Sequence, residues 1–364
     1  MGSNQGPAGA GEADAGKTKD HGVLYIGVDL GTSRTSISAS NGVRATVASL
    51  VGYPKDHVAR KLLKRDILFG EEALEKRLSL KMFRPLERGV IKGSEKGDFT
   101  SPEAKENLEA ARALIRHAVS LAQPRPDELI YGVIGAPAQA SIHNQKAIIE
   151  AAREVMDAVM LCSQPFSVAY GMDWLEDVLV IDIGAGTTDL CRMHGTMPEE
   201  GDQITLPTAG DYIDEQLERN LAEACPGASF SRPMVKRLKE KYSFVGEASD
   251  RIQVELPVDG KPTSFDITEA MRKSCRSIVP PMVESIHSLV RSFDPEFQDR
   301  LRNRVLLAGG GSQIQGLDRA LEQEMRARLG GGRVIRTEEP MYGGANGALK
   351  IAHDMPPEHW EQLS

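Results

Sequence analysis

The sequence predicts a layered α/β fold in which two related half-molecules face each other across a cleft. Three glycine-marked strand ends carry that reading. Val178–Ile183 is an apolar, β-branched run that reads as a buried strand. It contains Asp182 near its end and turns through Gly184, Ala185 and Gly186 into a second strand from about Thr187. The same arrangement occurs at residues 26–35, where Asp29 follows an apolar strand and Gly31, Thr32 and Ser33 turn into Thr35-Ser-Ile-Ser. A third cluster, Gly309-Gly-Gly-Ser312, closes the apolar run from Val305 and precedes a helical stretch expected from Ile314.

These patterns also suggest chemistry. A glycine turn lets the backbone approach an anion with consecutive N–H groups pointing at it. A carboxylate just before such a turn suits a hydrated divalent cation, because Mg²⁺ prefers oxygen ligands and keeps its waters. Asp29 and Asp182 are therefore candidate metal ligands beside the phosphates of a nucleotide. Gly31, Thr32, Ser33, Gly184, Ala185, Gly186 and Thr187 are candidate phosphate binders, and Gly309, Gly310 and Gly311 a backbone floor for base or ribose. Any one of these turns is explained by plain hairpin chemistry; three in this order are not. Neither G-x-x-x-x-G-K-[ST] nor G-x-G-x-x-G occurs, which disfavours P-loop and Rossmann sites.

The order Asp29-Leu-Gly-Thr32, Asp182-Ile-Gly-Ala-Gly-Thr-Thr-Asp189 and Gly309-Gly-Gly-Ser312 resembles the actin, DnaK-type chaperone and sugar-kinase ATPase superfamily. Within it, Val51-Gly-Tyr-Pro-Lys-Asp56, Tyr170-Gly171, Tyr242-Ser-Phe-Val-Gly246, Val305 to Ser312 and the segment from Pro356 resemble the magnetosome-associated bacterial actins. The resemblance runs from about Val23 to the end. It implies an actin-like two-domain fold, made of duplicated ribonuclease-H-like domains with four subdomains around a nucleotide cleft. It also implies ATP and Mg²⁺ as ligands, ATP hydrolysis, and self-assembly into filaments that organise or position magnetosomes in the cytoplasm with the help of adaptor proteins. Lys239 and Glu240, otherwise a solvated Lys-Glu-Lys face, match the adenosine-binding helix of actin, with Glu240 as a ribose acceptor. By resemblance, subdomain IA comprises residues 22–46, 92–174 and 345–364. Subdomain IB is then 47–91, IIA is 175–210 and 280–344, and IIB is 211–279.

One departure concerns catalysis. MreB and DnaK-type ATPases usually carry Glu-Pro at a helix start, with the glutamate near the attacking water. Here the pair is Gln164-Pro165. A carboxylate accepts a proton, whereas an amide only orients water, as the glutamine of small GTPases does. Asp29, Asp182 and Gln164 are thus the expected catalytic residues, with hydrolysis slower than in glutamate-bearing relatives.

Composition bounds the alternatives. With 364 residues, 40% of them hydrophobic, the chain forms one large or two medium domains. A net charge of −8 without a long basic run argues against nucleic acid. Cys162, Cys191, Cys225 and Cys275 are widely spaced and read as free thiols of a reducing compartment. Neither a membrane span nor a secretion signal is recognisable, so no direct membrane insertion is expected. A monomeric kinase or chaperone ATPase shares the cleft. The chain, however, shows no substrate-binding domain after the core, and compact actin-type inserts replace the larger ones of sugar kinases. A wall-shape or plasmid-segregating filament is a further alternative. Against an MreB-like wall-shape role, the polar tail offers no membrane anchor.

The elements follow in order. Residues 1–21, rich in Gly and Ala, are expected to be a disordered tail. Residues 47–91 show no long periodicity. Ser101 before Pro102 marks a helix start, and Leu108, Ala111, Leu114, Ile115, Ala118 and Val119 recur at helical spacing. Leu129–Ala136 is a strand and residues 145–156 are helical, an alternation that supports a parallel-rich layered fold. A strand at 204–208, a helix at 212–224, a β-rich stretch at 252–267 and a helix at 281–293 follow. A strand at 334–337 and a glycine-rich final helix from Tyr342 complete the chain. By resemblance that helix is part of an interdomain hinge. His143 and His194 show no partner pattern.

Overall fold

A computed structural model describes residues 22–94, 99–248 and 250–363. The expected N-terminal tail lies outside them. The chain begins with the strands β1 (Val23–Leu30), β2 (Arg34–Ala39) and β3 (Arg44–Ala48). A small unit follows: β4 (Val51–Pro54), α1 (His57–Leu63), β5 (Leu68–Phe69), α2 (Gly70–Glu75), β6 (Leu80–Phe83) and the hairpin β7 (Leu86–Glu87)–β8 (Val90–Ile91). The absence of periodicity here reflects strands of two to four residues. The long helix α3 (Pro102–Leu121) begins where expected, with the Ser101 hydroxyl accepting from the amide of Ala104. Then come β9 (Leu129–Ala136), α4 (Ile142–Ala152), β10 (Ala158–Ser163) and α5 (Gln164–Gly171).

The second half repeats the plan. It runs through β11 (Val178–Ile183), β12 (Thr188–Met193), β13 (Gln203–Leu206), α6 (Gly210–Ala224), α7 (Arg232–Tyr242), β14 (Gln253–Val258), β15 (Lys261–Asp266) and α8 (Thr268–Arg276). It continues with α9 (Val279–Arg291), α10 (Gln298–Arg302), β16 (Val305–Ala308), α11 (Leu317–Leu329) and β17 (Val334–Arg336). The helix expected from Ile314 starts later. A short 3₁₀ turn spans Gly310–Gln313, and Gly316, in the left-handed region at φ 77°, precedes α11. The glycine-rich α12 (Gly343–Asp354) is not the last helix, since α13 (Pro357–Leu363) follows and buries Trp360 against Tyr131.

The two large sheets have the same topology. The first is ordered β3-β2-β1-β9-β10 and the second β13-β12-β11-β16-β17. In each, the leading strand pairs antiparallel with the next and parallel with the fourth. The register is equivalent as well: Asp29 sits opposite Ser36 and Gly135, Asp182 opposite Asp189 and Ala308. One apolar cluster fills each half, and a third lies between them, drawing Val133 and Phe166 from the first half, Val180 and Leu306 from the second, and Ala348 and Trp360 from the last two helices. The duplication inferred from two similar hairpins is thus a duplication of whole sheets.

His194 does have a partner. Its Nε2 lies 3.1 Å from Asp202, whose carboxylate also accepts from buried Arg192 and from the amide of Glu199. Burial opposes ionisation of Asp202, yet these donors together hold its carboxyl below the ordinary value. The network is structural, tying β12 to the end of α9 through Arg192 and the carbonyl of Leu289.

The chain returns to the first half along a seam made of missing side chains, where α12 packs on α5 and β1. A Cβ on Gly347 would collide with the carbonyl of Ser167 in α5, and one on Gly27 with the backbone of Ala345 and Leu349. Glycine disfavours a helix interior by about 1 kcal/mol relative to alanine, so Gly347→Ala would stabilise an unconstrained helix. Against backbone atoms that cannot yield, overpacking of about 1–3 kcal/mol outweighs that gain. Gly347→Ala is therefore expected to lower the urea midpoint of unfolding; a raised midpoint would contradict the seam.

Candidate functional site

The leading strands of both sheets end at the same cleft. The cavity there measures about 670 Å³ and is lined by Asp29, Gly31, Thr32 and Ser33 from the first half and Asp182, Gly184 and Ala185 from the second. Gln164, Lys239, Glu240 and Gly309, Gly310 and Gly311 line it too. That size matches small-ligand sites, and its wall mixes backbone with a few charged groups.

Each expected residue has an identifiable local cause. Asp29 is carried to the rim by β1, and the amide of Gly31 closes the following turn on the carbonyl of Arg34 at 3.1 Å. Its carboxylate accepts from Gln164 Nε2 at 2.7 Å. Because an ionised carboxylate only accepts, the amide nitrogen must face it, which leaves the Gln164 carbonyl oxygen free of this contact. Asp182 occupies the equivalent place on β11. Gly309, at φ 73°, is required beside it, since a Cβ there would strike the Asp182 carboxylate. A Cβ at Gly311 would strike Ile183, whereas one at Gly310 would meet nothing and faces open space.

Two expected phosphate binders are not on the cavity wall. Gly186 packs against the β7–β8 turn and Thr32, where a Cβ would lie 2.7 Å from the backbone of Arg88. Thr187 bonds Asp189. The pattern Gly-x-Gly-Thr therefore divides between tasks, with Gly184 and Ala185 at the cavity, Gly186 packed on the first half and Thr187 bonded within its own hairpin. The Thr32 hydroxyl is likewise committed, accepting from the amide of Gly89 at 2.7 Å. Lys239 lines the cavity, yet its ammonium is held by the Gly210 carbonyl at 2.7 Å and by Asp214 at 2.8 Å, tying α7 to α6.

Other residues have roles across the cleft that their sequence neighbourhood did not assign. Asp189, paired in register with Asp182, accepts from the amide of Ala138 at 2.9 Å and from Thr205, bridging the halves below the cleft. Arg84 crosses the cleft mouth to Asp211 with both carboxylate oxygens within 2.9 Å. Lys236 crosses it from α7 to Ser33. None of these stands in a glycine-marked turn of its own half, and only folding brings them across.

Electrostatically, the site is a concentration of buried acid. Desolvation raises Asp29, which the Gln164 amide partly offsets and the Asp189 charge reinforces. Desolvation raises Asp182 well above its ordinary value, helped by the charges of Asp29 and Asp189. Cys162, beside this cluster, is pushed up to about 12 by burial and the nearby Asp29 charge, and Cys191 to about 12 by burial. All four cysteines are free thiols; Cys162 is half-buried and the others buried. Among the described residues no group of three or more His, Cys, Asp or Glu is placed to hold a metal. Two carboxylates without further protein ligands suit Mg²⁺, which is usually held by one or two carboxylates together with waters and substrate phosphates.

Such crowding of like charge stabilises only a bound cation. Asp182→Asn is expected to raise the melting temperature of the nucleotide-free protein in EDTA by roughly 2–4 °C, corresponding to about 1 kcal/mol. It is expected to abolish magnesium-dependent nucleotide binding at the same time. A lowered melting temperature in EDTA would show that Asp182 serves the fold.

The MreB/Mbl protein family model matches residues 24–358. The Actin-like protein MamK of Paramagnetospirillum magneticum is 39% identical over 340 residues, covering 93% of this chain and 95% of that protein. MamK of Magnetospirillum gryphiswaldense is also 39% identical, over 93% and 92% of the two chains. Among solved structures, a MamK double helical filament superposes with a TM-score of 0.87 over 92% of this chain and 99% of that one. A non-polymerising MamK mutant bound to AMPPNP, covering 92% and 100% at the same 39% identity, gives 0.68. The duplicated sheets, the cleft at their strand ends and these similarities lead to one conclusion: the chain belongs to the MreB/Mbl family of actin-like proteins.

Proposed function

We propose that this chain is an actin-like ATPase that assembles head to tail into cytoplasmic filaments and, like the MamK proteins it resembles, positions magnetosomes through adaptor proteins. The observation that carries the reading is the placement of Asp29 and Asp182 at equivalent strand ends on opposite walls of one cavity, above the Gly309–Gly311 turn. The turns after Asp29 and Asp182 present amides to the ATP phosphates, and Glu240 accepts from the ribose. Asp29 and Asp182 would hold Mg²⁺, which when bound neutralises charge on the β- and γ-phosphates.

Gln164 has its amide nitrogen committed to Asp29 and its carbonyl oxygen left to accept a hydrogen bond from the attacking water. It orients that water without taking its proton. Turnover is accordingly slow, and Gln164→Glu is expected to raise the single-turnover hydrolysis rate, by about tenfold or more if general-base catalysis is gained. An unchanged or lower rate would remove the assignment.

Assembly is supported by the two ends of the molecule. The small unit between β4 and β8 extends past the cleft and exposes Val58, Leu62 and Leu78, the last at 85%, among Lys55, Arg60, Lys61 and Lys64. Met197 and Phe297 are exposed at the opposite end, beyond the close of β12 and before the start of β16, among Glu199, Glu200, Asp294 and Glu296. Exposed apolar side chains at opposite ends favour a heterologous contact, which gives an open filament when it does not close into a ring. The likeness, at 39% identity, to a protein solved as a double helical filament also supports this reading.

Sedimentation and negative-stain imaging provide the test. Polymer is expected with Mg-ATP and not without nucleotide, and Leu62→Asp should stay in the supernatant while still binding nucleotide. Wild-type protein that never pellets would leave a monomeric ATPase.

A further inference from the structure

We propose that Lys236 is a phosphate ligand supplied by the second half-molecule, exchanging Ser33 for the bound nucleotide, so that phosphate strengthens the contact across the cleft. The inference rests on the reading of the cleft as an ATP site. Lys236 projects from α7, and its ammonium donates to Ser33 Oγ at 2.5 Å, in the turn that follows Asp29 on the opposite wall. Its tip therefore already stands where a phosphate on that turn would be.

The helix acts as a ruler. Glu240 lies four residues after Lys236 on the same face, with its carboxylate 3.8 Å from the Lys236 ammonium. Four residues rise about 6 Å along a helix. A nucleotide with its ribose at Glu240 and its phosphates on the turn of Gly31 to Ser33 thus runs along α7 toward Lys236.

Charge selects the same residue. Asp29, Asp182, Asp211 and Glu240 line the cavity, so an incoming polyphosphate needs cations. Lys239 is held by Gly210 and Asp214, and Asp211 already occupies Arg84. Arg34 lines the cavity but belongs to the wall that carries the turn, so it cannot join the two halves, and Lys241, which also lines it, lies over the Tyr242 ring. Among the described residues, the partners of Lys236 are a neutral hydroxyl and a loosely placed glutamate. Burial accordingly draws its ammonium below the ordinary lysine value, with Arg84, Lys239 and Arg34 nearby adding to the effect and Glu240 opposing it.

When phosphate arrives, Lys236 gives up Ser33 for an anionic oxygen that the first half-molecule holds, and the contact across the mouth becomes charge-assisted. Arg84–Asp211 beside it needs no such exchange and closes the same edge.

Calorimetric titration of wild type, Lys236→Met and Lys236→Arg with ATP, ADP and adenosine in magnesium buffer tests this. Lys236→Met is expected to weaken ATP binding roughly tenfold to a hundredfold, the range for a hydrogen bond to a charged group. Adenosine binding should stay within about twofold of wild type and ADP should fall between, while Lys236→Arg recovers most of the ATP affinity. Equal losses for adenosine and ATP would assign Lys236 a structural role, and unchanged ATP affinity would remove it from the site; either overturns the proposal. Wild type that binds neither ATP nor adenosine would overturn the ATP reading itself, and Lys236 as a phosphate ligand with it.

Discussion

The structure depends on the close backbone contact by which the returning helix α12 locks into the first half. Where α12 crosses α5 and lies on β1, Gly347, Gly171 and Gly27 leave no room for a side chain. α5, held by that contact, packs in turn on β11 and β12 of the second half, and with this support the ends of β1 and β11 meet at one cleft. A glycine-rich helix is a poor helix by propensity. Its persistence in α12 is explained by packing, because the third apolar cluster, between the sheets, closes around it and Trp360 anchors the chain end beyond it.

A second constraint opposes the first. Bringing the strand ends together buries Asp29, Asp182 and Asp189 near one another, and desolvation raises all three above the ordinary carboxyl value. Asp189 is compensated by Thr205, Thr187 and the amide of Ala138, and Asp29 by Gln164. Asp182 has no comparable set of donors among the described residues. The imbalance is what a cation-binding site requires, since a fully satisfied carboxylate gains little from a metal. Stability is given up where the chemistry is done, as functional sites commonly do. The charged bridges at the mouth, Arg84–Asp211 and Lys236–Ser33, then connect this acidic centre to the relative position of the halves.

Much of this was legible in the sequence because the decisive signals are local. An apolar strand, an aspartate and a glycine turn lie within ten residues, so β1 with its turn, β11 with its turn and the Gly309 turn could all be read directly. Helix starts marked by Ser101 and Pro102 were equally plain. What escaped was non-local. Gly186 and Thr187 share a motif with Gly184, but only the fold shows that they pack against Arg88 and Asp189. Lys236 looks like one charge in a solvated run until α7 is placed over Ser33. His194 acquires Asp202 through the irregular segment between β12 and β13. The strands of residues 51–91 are too short for a period to register, and α13 is only seven residues long.

The central claim is that the two carboxylates at the paired strand ends form one magnesium–nucleotide site. Isothermal titration of the full chain with ATP, once in magnesium and once in EDTA, addresses it most directly. The account predicts saturable binding at one nucleotide per chain that weakens by at least about tenfold when the cation is removed, a loss of roughly 1.4 kcal/mol. Binding of equal strength in EDTA would contradict it, because Asp29 and Asp182 would then repel the phosphates they are placed to receive.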